Sequence, residues 1–141
     1  MRSRRVVIRH PTTKEAVIWI IDNEQWPRAC LRAELIERGY HPYGFMTVGD
    51  ALDSLSRGTS PRPKALILEL RGQTLTPEMI EAIENLGVPS ILLGGNAELN
   101  DPLIANGHWY RVVKRPFSLG MIADLIHESV PINRTGDALH A

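Results

Sequence analysis

Four short segments carry the side chains of this chain that could do chemistry. Asp22-Asn23-Glu24 follows the apolar run Ala16 to Ile21, and Glu69 sits inside the end of the run Lys64 to Leu70. Gly94-Gly95 follows Val88 to Leu93, and Arg115-Pro116-Phe117 follows a run from Tyr110 to Lys114. Acids and bases of this kind, brought to one place, support two chemistries. Carboxylates can hold a divalent cation and, with it, position a phosphoryl group. Alternatively, a guanidinium forks onto a carboxylate and the set neutralises itself by charge-assisted hydrogen bonds. Asp22 and Asn23 also suit a plainer role as N-caps of a following helix. The single cysteine, Cys30, forbids an intrachain disulfide and a Cys-rich metal site. It reads as a small buried hydrophobe beside Ala29 and Ala33. The five histidines are too scattered for a metal site. No glycine-rich phosphate loop follows the first apolar run, which argues against a nucleotide-binding enzyme.

The elements that must position these segments alternate along the chain. Ala16–Ile21, Lys64–Leu70 and Val88–Leu93 read as strands whose continuous apolar character fits a sheet covered on both faces. Tyr40–Met46 reads as a weaker strand and Tyr110–Lys114 as the last. A first helix spans Glu24–Arg38, with Pro27 in its first turn and Gly39 at its stop. A second opens at Thr47, whose spacing to Asp50 resembles a capping box, and runs to Arg57. A third runs from the Thr76 cap and Pro77 to Leu86, and a short fourth from Asn100-Asp101-Pro102 to Gly107. The last runs from the Ser118 cap to Ser129. This order predicts an α/β fold: a doubly wound five-stranded parallel sheet, (βα)5, in a single domain. Ligands of such sheets bind beyond the carboxyl ends of the strands, where all four segments fall.

Composition narrows the function. With 141 residues, 43% apolar and 23% charged, the chain can bury a core unaided, and wholesale disorder is excluded. Sixteen basic residues balance sixteen acidic ones, which argues against nucleic acid as a partner. The longest apolar runs fall far short of the roughly 18 residues that span a bilayer. The basic start, Met1-Arg-Ser-Arg-Arg5, leads only into Val6-Val7-Ile8, which is no secretory signal. A cytoplasmic protein without membrane contact is expected. Residues 1–15 carry Arg2, Arg4, Arg5, Arg9 and Lys14 against Glu15, five minus one or +4, leaving −4 for the rest. Residues 1–14 are therefore read as a basic arm, 15–131 as the domain and 132–141 as a tail.

Ile20-Ile21-Asp22-Asn23-Glu24, Ala65-Leu66-Ile67-Leu68-Glu69-Leu70, Ile91-Leu92-Leu93-Gly94-Gly95 and Arg115-Pro116-Phe117, in this order, resemble the receiver domain of bacterial response regulators. The resemblance covers about residues 15–130. It implies a flavodoxin-like fold and a place in two-component signal transduction. In that family an acidic pair follows the first strand, and its second acid is a direct magnesium ligand. Asp22 stands at the first of these positions, but Asn23 stands at the second. The family's phosphoacceptor aspartate falls on Glu69, one methylene longer, and the Ser or Thr whose hydroxyl binds the phosphoryl group falls on Gly94. The lysine before the cis-proline falls on Arg115, with Lys114 just before it and Pro116 as the cis-proline. Trp109-Tyr110 lies near the family's switch aromatic, with neither residue cleanly aligned.

These departures change the expected chemistry. A receiver that binds magnesium sets three carboxylates against one lysine. Here Asp22 and Glu69 face Arg115, with Lys114 beside it, and such a set nearly neutralises itself. Magnesium binding should be weak or absent, because an amide replaces a ligand carboxylate. No other cofactor and no catalytic residue is expected. The leading reading is a non-catalytic pseudo-receiver with a degenerate phosphoacceptor pocket, acting by protein–protein interaction. The alternative is a stand-alone response regulator still phosphorylated by a histidine kinase in a phosphorelay. A kinase, another regulator or a second copy of the chain is the expected partner, with output in trans because no further domain follows in the sequence. The expected face is Trp109, Tyr110, Leu119, Ile122 and Ile126.

Overall fold

The computed structural model describes residues 16–132. The basic arm read at 1–14 and residues 133–141 of the tail lie outside the described residues. In chain order the elements are β1 (Val17–Ile21), α1 (Gln25–Glu37), β2 (His41–Phe45), α2 (Val48–Ser56), β3 (Ala65–Glu69) and α3 (Pro77–Glu84). They continue with β4 (Ser90–Gly94), α4 (Asn96–Leu99), α5 (Pro102–Ala105), β5 (Arg111–Lys114) and α6 (Leu119–Ser129). The strands form one sheet in the order β2-β1-β3-β4-β5, with all pairings parallel. The reversal of strand order between β1 and β3 is the switch point of a flavodoxin-like doubly wound sheet.

Strand alternation sorts the core into two layers. Ile18, Ile20, Ala65, Ile67, Ile91 and Leu93 face one side, where Leu31 and Leu35 of α1 and Ile122 and Ile126 of α6 close over them. Val17, Trp19, Ile21, Leu66, Leu68 and Leu92 face the other, covered by α2, α3 and Ile104 of α5. With both faces covered, β1, β3 and β4 are buried at every position. The side chains of Thr47, Thr76 and Ser118 accept the backbone N–H three residues on, at Asp50, Met79 and Met121.

Three features differ from the sequence reading. The short fourth helix, expected from Asn100-Asp101-Pro102, is the single turn α5 capped by Asp101, and a further single turn, α4, precedes it at Asn96–Leu99 where no helix was expected. Consequently the edge strand β5 is poorly covered, and Val112 is 48% exposed. Cys30 is half-buried rather than buried, because α1 turns its neighbour Leu31 onto the sheet.

Candidate functional site

Backbone register brings the two carboxylates together. Ile21 pairs with Leu68, so the next step sets Asp22 beside Glu69, and alternation turns both toward the α1/α6 side with Ile20 and Ile67. Asp22 is 7% exposed and Glu69 3%. Charges buried to this degree need partners, and two arginines supply them.

Arg115 leaves the end of β5, its N–H donating to the Gly94 carbonyl at 2.9 Å. Its Nη1 and Nη2 donate to Oε1 and Oε2 of Glu69 at 2.7 and 3.0 Å, a fork on a carboxylate. The Arg115–Pro116 peptide is cis, and the guanidinium lies 5.5 Å from the Phe117 ring centroid. The second arginine, Arg71, is absent from the sequence reading. Its backbone N–H donates to Glu69 Oε2 at 2.9 Å, and its Nη2 donates to Asp22 Oδ1 at 3.0 Å. Its Nη1 stands 3.8 Å from Glu69 Oε1, and its Nε 3.3 Å from Glu24 Oε2, the latter without hydrogen-bond geometry. The available signal was a cation before a glycine just past the acidic strand. Gly72, at φ 77°, turns the chain there, and a Cβ on it would lie 2.9 Å from Asn23 Oδ1. Asn23 is thus half-buried against this turn.

Lys114 does not join the cluster. At the end of β5 it pairs with Gly94 of β4, and alternation sends its side chain opposite to Val113, away from Glu69 and into solvent. Arg71 takes the place the sequence reading gave it. Gly94 is buried at the end of β4, and a Cβ there would meet Glu98 Oε1 at 3.0 Å. That oxygen accepts the Gly95 N–H at 2.7 Å and lies 3.6 Å from Arg115 Nη2. A carboxylate absent from the sequence reading therefore stands where a side chain at position 94 would project. Its signal was the N-cap-to-N3 spacing of Gly95 and Glu98.

The expected contact face also needs correction. Ile122 and Ile126 are fully buried, because α6 lays that stripe on the sheet. Trp109 is half-buried against the α3/α5 layer, its Nε1 donating to the Ile104 carbonyl at 2.8 Å. Tyr110 donates its hydroxyl to Glu128 at 2.8 Å, and Leu119 is exposed.

The two buried acids respond in opposite ways. Burial pushes the Asp22 carboxyl above its ordinary value, and Glu69's charge adds to this; the Glu24 N–H and Arg71 offset only part. Burial acts on Glu69 in the same direction, but the Arg115 fork, the Arg71 N–H and both guanidinium charges outweigh it and hold Glu69 below its ordinary value. Arg115 is in turn held more firmly protonated by Glu69. The inner set, Asp22 and Glu69 against Arg71 and Arg115, sums to zero, with Glu24 and Glu98 at its rim. These residues fit magnesium poorly. Both Glu69 oxygens and Asp22 Oδ1 already accept hydrogen bonds, and the cations that hold them would repel a metal.

Solved structures of similar fold are numerous. The N-terminal domain of a response regulator/sensory box/GGDEF three-domain protein from Carboxydothermus hydrogenoformans superposes with a TM-score of 0.67 at 16% identity, over 89% of this chain and 99% of that one. The chain has the receiver-domain fold. A CheY-like receiver domain from Methylobacillus flagellatus gives 0.63 at 13% identity, over 80% of this chain and 97% of that receiver. The receiver domain of a Pseudomonas aeruginosa sensor histidine kinase, with magnesium in its active-site cleft, gives 0.65 at 20%, over 83% and 98%. No protein-family model matches the chain, and no curated protein sequence matches it significantly. In the receiver frame the Asp22–Glu69 cluster occupies the carboxyl end of the sheet at its switch point.

Proposed function

We propose that this chain is a pseudo-receiver: a non-enzymatic two-component signalling module that acts through protein contacts, without phosphorylation of Glu69 and without bound magnesium. The two-pronged Arg115–Glu69 bond, at 2.7 and 3.0 Å, supports this reading most directly. A phosphoacceptor carboxylate needs an oxygen free to attack phosphorus and a cation to gather charge around it. Here Oε1 and Oε2 both accept from Arg115, and Oε2 also accepts the Arg71 N–H. Freeing them breaks charge-assisted bonds in a buried place. Magnesium, which dehydrates reluctantly, would have to displace both arginines and accept an amide at position 23. Glu98 over Gly94 leaves the phosphoryl side of the site with a carboxylate instead of a hydroxyl donor. The contact surface left open by the short α4 and α5 is the β5 edge with the start of α6, where Val112, Leu119 and Met121 are exposed. A histidine kinase, another regulator or a second copy would engage it.

Intact-mass spectrometry after incubation with a small acyl phosphate and millimolar magnesium tests the proposal. The expected result is an unchanged mass, with no saturable magnesium heat in isothermal titration. A labile mass gain that disappears in Glu69→Gln would overturn it in favour of a phosphorelay response regulator.

A further inference from the structure

On the far side of α1 from α6, an open groove of about 970 Å³ runs between α1 and the edge strand β2. Its apolar floor comes from Ala29, Ala33 and Ile36, spaced by four and three residues along one helical face. Ile36 is 51% exposed, and Trp26, one turn before Ala29, is 77% exposed. No acidic side chain lines the groove among the described residues, whereas Arg28 and Arg32 both do. In a chain with zero formal net charge, that is a local excess of one sign. Each guanidinium bonds a backbone carbonyl: Arg28 Nη1 donates to Asp22 O at 2.6 Å, and Arg32 Nε to Pro42 O at 3.3 Å. Among the described residues neither is paired with a carboxylate, and each keeps N–H donors to spare. Gly44 makes room for this, since a Cβ there would lie 3.1 Å from Arg28 Cδ. Two arginines already fixed in place lose little entropy on binding an anion.

The strand edge decides what form of partner fits. The His41 N–H and Phe45 carbonyl bond toward β1, so alternation points the backbones of Pro42 and Gly44 outward. Pro42 has no N–H, and its carbonyl already accepts from Arg32. An added strand would therefore find only Gly44 to pair with, and the edge is guarded against augmentation. A helix needs no such backbone partners. We propose that the α1/β2 groove docks an acidic amphipathic helix of a partner protein, its apolar stripe on Ala29, Ala33 and Ile36 and its carboxylates on Arg28 and Arg32. This surface is separate from the β5 edge and does not depend on the phosphorylation state of Glu69.

The test uses the isotope-labelled full chain and three synthetic helical peptides: one with a leucine stripe flanked by glutamates, the same peptide with lysines for glutamates, and a scrambled acidic control. Amide shifts and Trp26 fluorescence report binding. The expected result is saturable binding of the acidic amphipathic peptide, with shifts confined to 25–44. Binding should weaken by about tenfold or more for the lysine peptide, for Arg32→Glu and at high salt. Ala29→Glu, at an exposed position, should weaken it similarly while thermal unfolding confirms an intact fold. Equal binding of the acidic and basic peptides, shifts centred on β5 and α6, equal binding of the scrambled control, or no saturation by about 1 mM peptide would each overturn the proposal. So would preferential binding of a short DNA oligonucleotide.

Discussion

Glu69→Gln tests the central ion pair with the least disturbance of shape. Glutamine can still accept the Arg71 N–H, but its amide NH2 then meets one guanidinium N–H, donor against donor. Of the three hydrogen bonds to this side chain, one from Arg115 is lost, the other keeps only the guanidinium's charge, and the Arg71 N–H bond becomes neutral. A bond to a charged group contributes about 1.5–3 kcal/mol and a neutral one about 0.5–1.5. Relief of the buried charge offsets part of the loss, leaving a cost of about 2–3 kcal/mol at neutral pH. Against a domain stability of about 5–15 kcal/mol, that is a large fraction. Arg115→Gln should cost a similar amount. Arg115 is 36% exposed and recovers solvent, but Glu69 is left buried with Arg71 alone. If the fork is the shared interaction, the double variant should cost about 2 kcal/mol less than the sum of the singles. Urea unfolding at pH 7 measures all four corners of the cycle. The pH dependence has a fixed sign. Glu69 is held below its unfolded value, so its contribution is fully present above the ordinary carboxylate range and is lost as pH falls through the depressed value. The gap between wild type and Glu69→Gln should therefore close in acid. Additivity within about 0.5 kcal/mol, or a gap that persists unchanged in acid, would refute the reasoning.

Asp22 should behave oppositely. Burial holds its proton more tightly in the folded chain than in the unfolded one, so its ionised form costs stability above the raised value. Asp22→Asn is expected to raise the urea midpoint at pH 7, with the difference fading in acid; a lowered midpoint contradicts this. Gly94→Ser drives a Cβ to within 3.0 Å of Glu98 Oε1 and 3.4 Å of Leu70 and Leu99. It should cost about 1–3 kcal/mol, largely recovered in a Gly94→Ser/Glu98→Ala double variant, and no recovery would show that Glu98 is not the obstacle. Gly72→Ala meets both φ 77° and a 2.9 Å contact with Asn23, so a loss above about 1 kcal/mol is expected in thermal unfolding. Light scattering of the full chain and of residues 15–141 over a concentration series checks self-association through β5 and α6. A salt-sensitive dimer weakened by truncation is expected, whereas a strict monomer of both leaves only a different partner for that face.

Much of this molecule was legible in the sequence because parallel strands buried on both faces leave uninterrupted apolar runs. Those runs located β1, β3 and β4 to within two residues, and the caps at Thr47, Thr76 and Ser118 fixed three helix starts. The strand ends, in turn, located Asp22, Glu69, Gly94 and Arg115. What one dimension could not carry was facing and reach. Lys114 and Arg115 are adjacent in sequence, yet the period of two along a strand turns one to solvent and the other onto Glu69. Ile122 and Ile126 read equally well as an interface or as core until α6 was laid on the sheet. Arg71 and Glu98 lie in connections whose paths depend on a left-handed glycine and a one-turn helix. The sequence by itself determined the sheet and which acids would meet at its edge. Only the tertiary structure decided which cations neutralise them, because long side chains on loops pair across distances that no local pattern records.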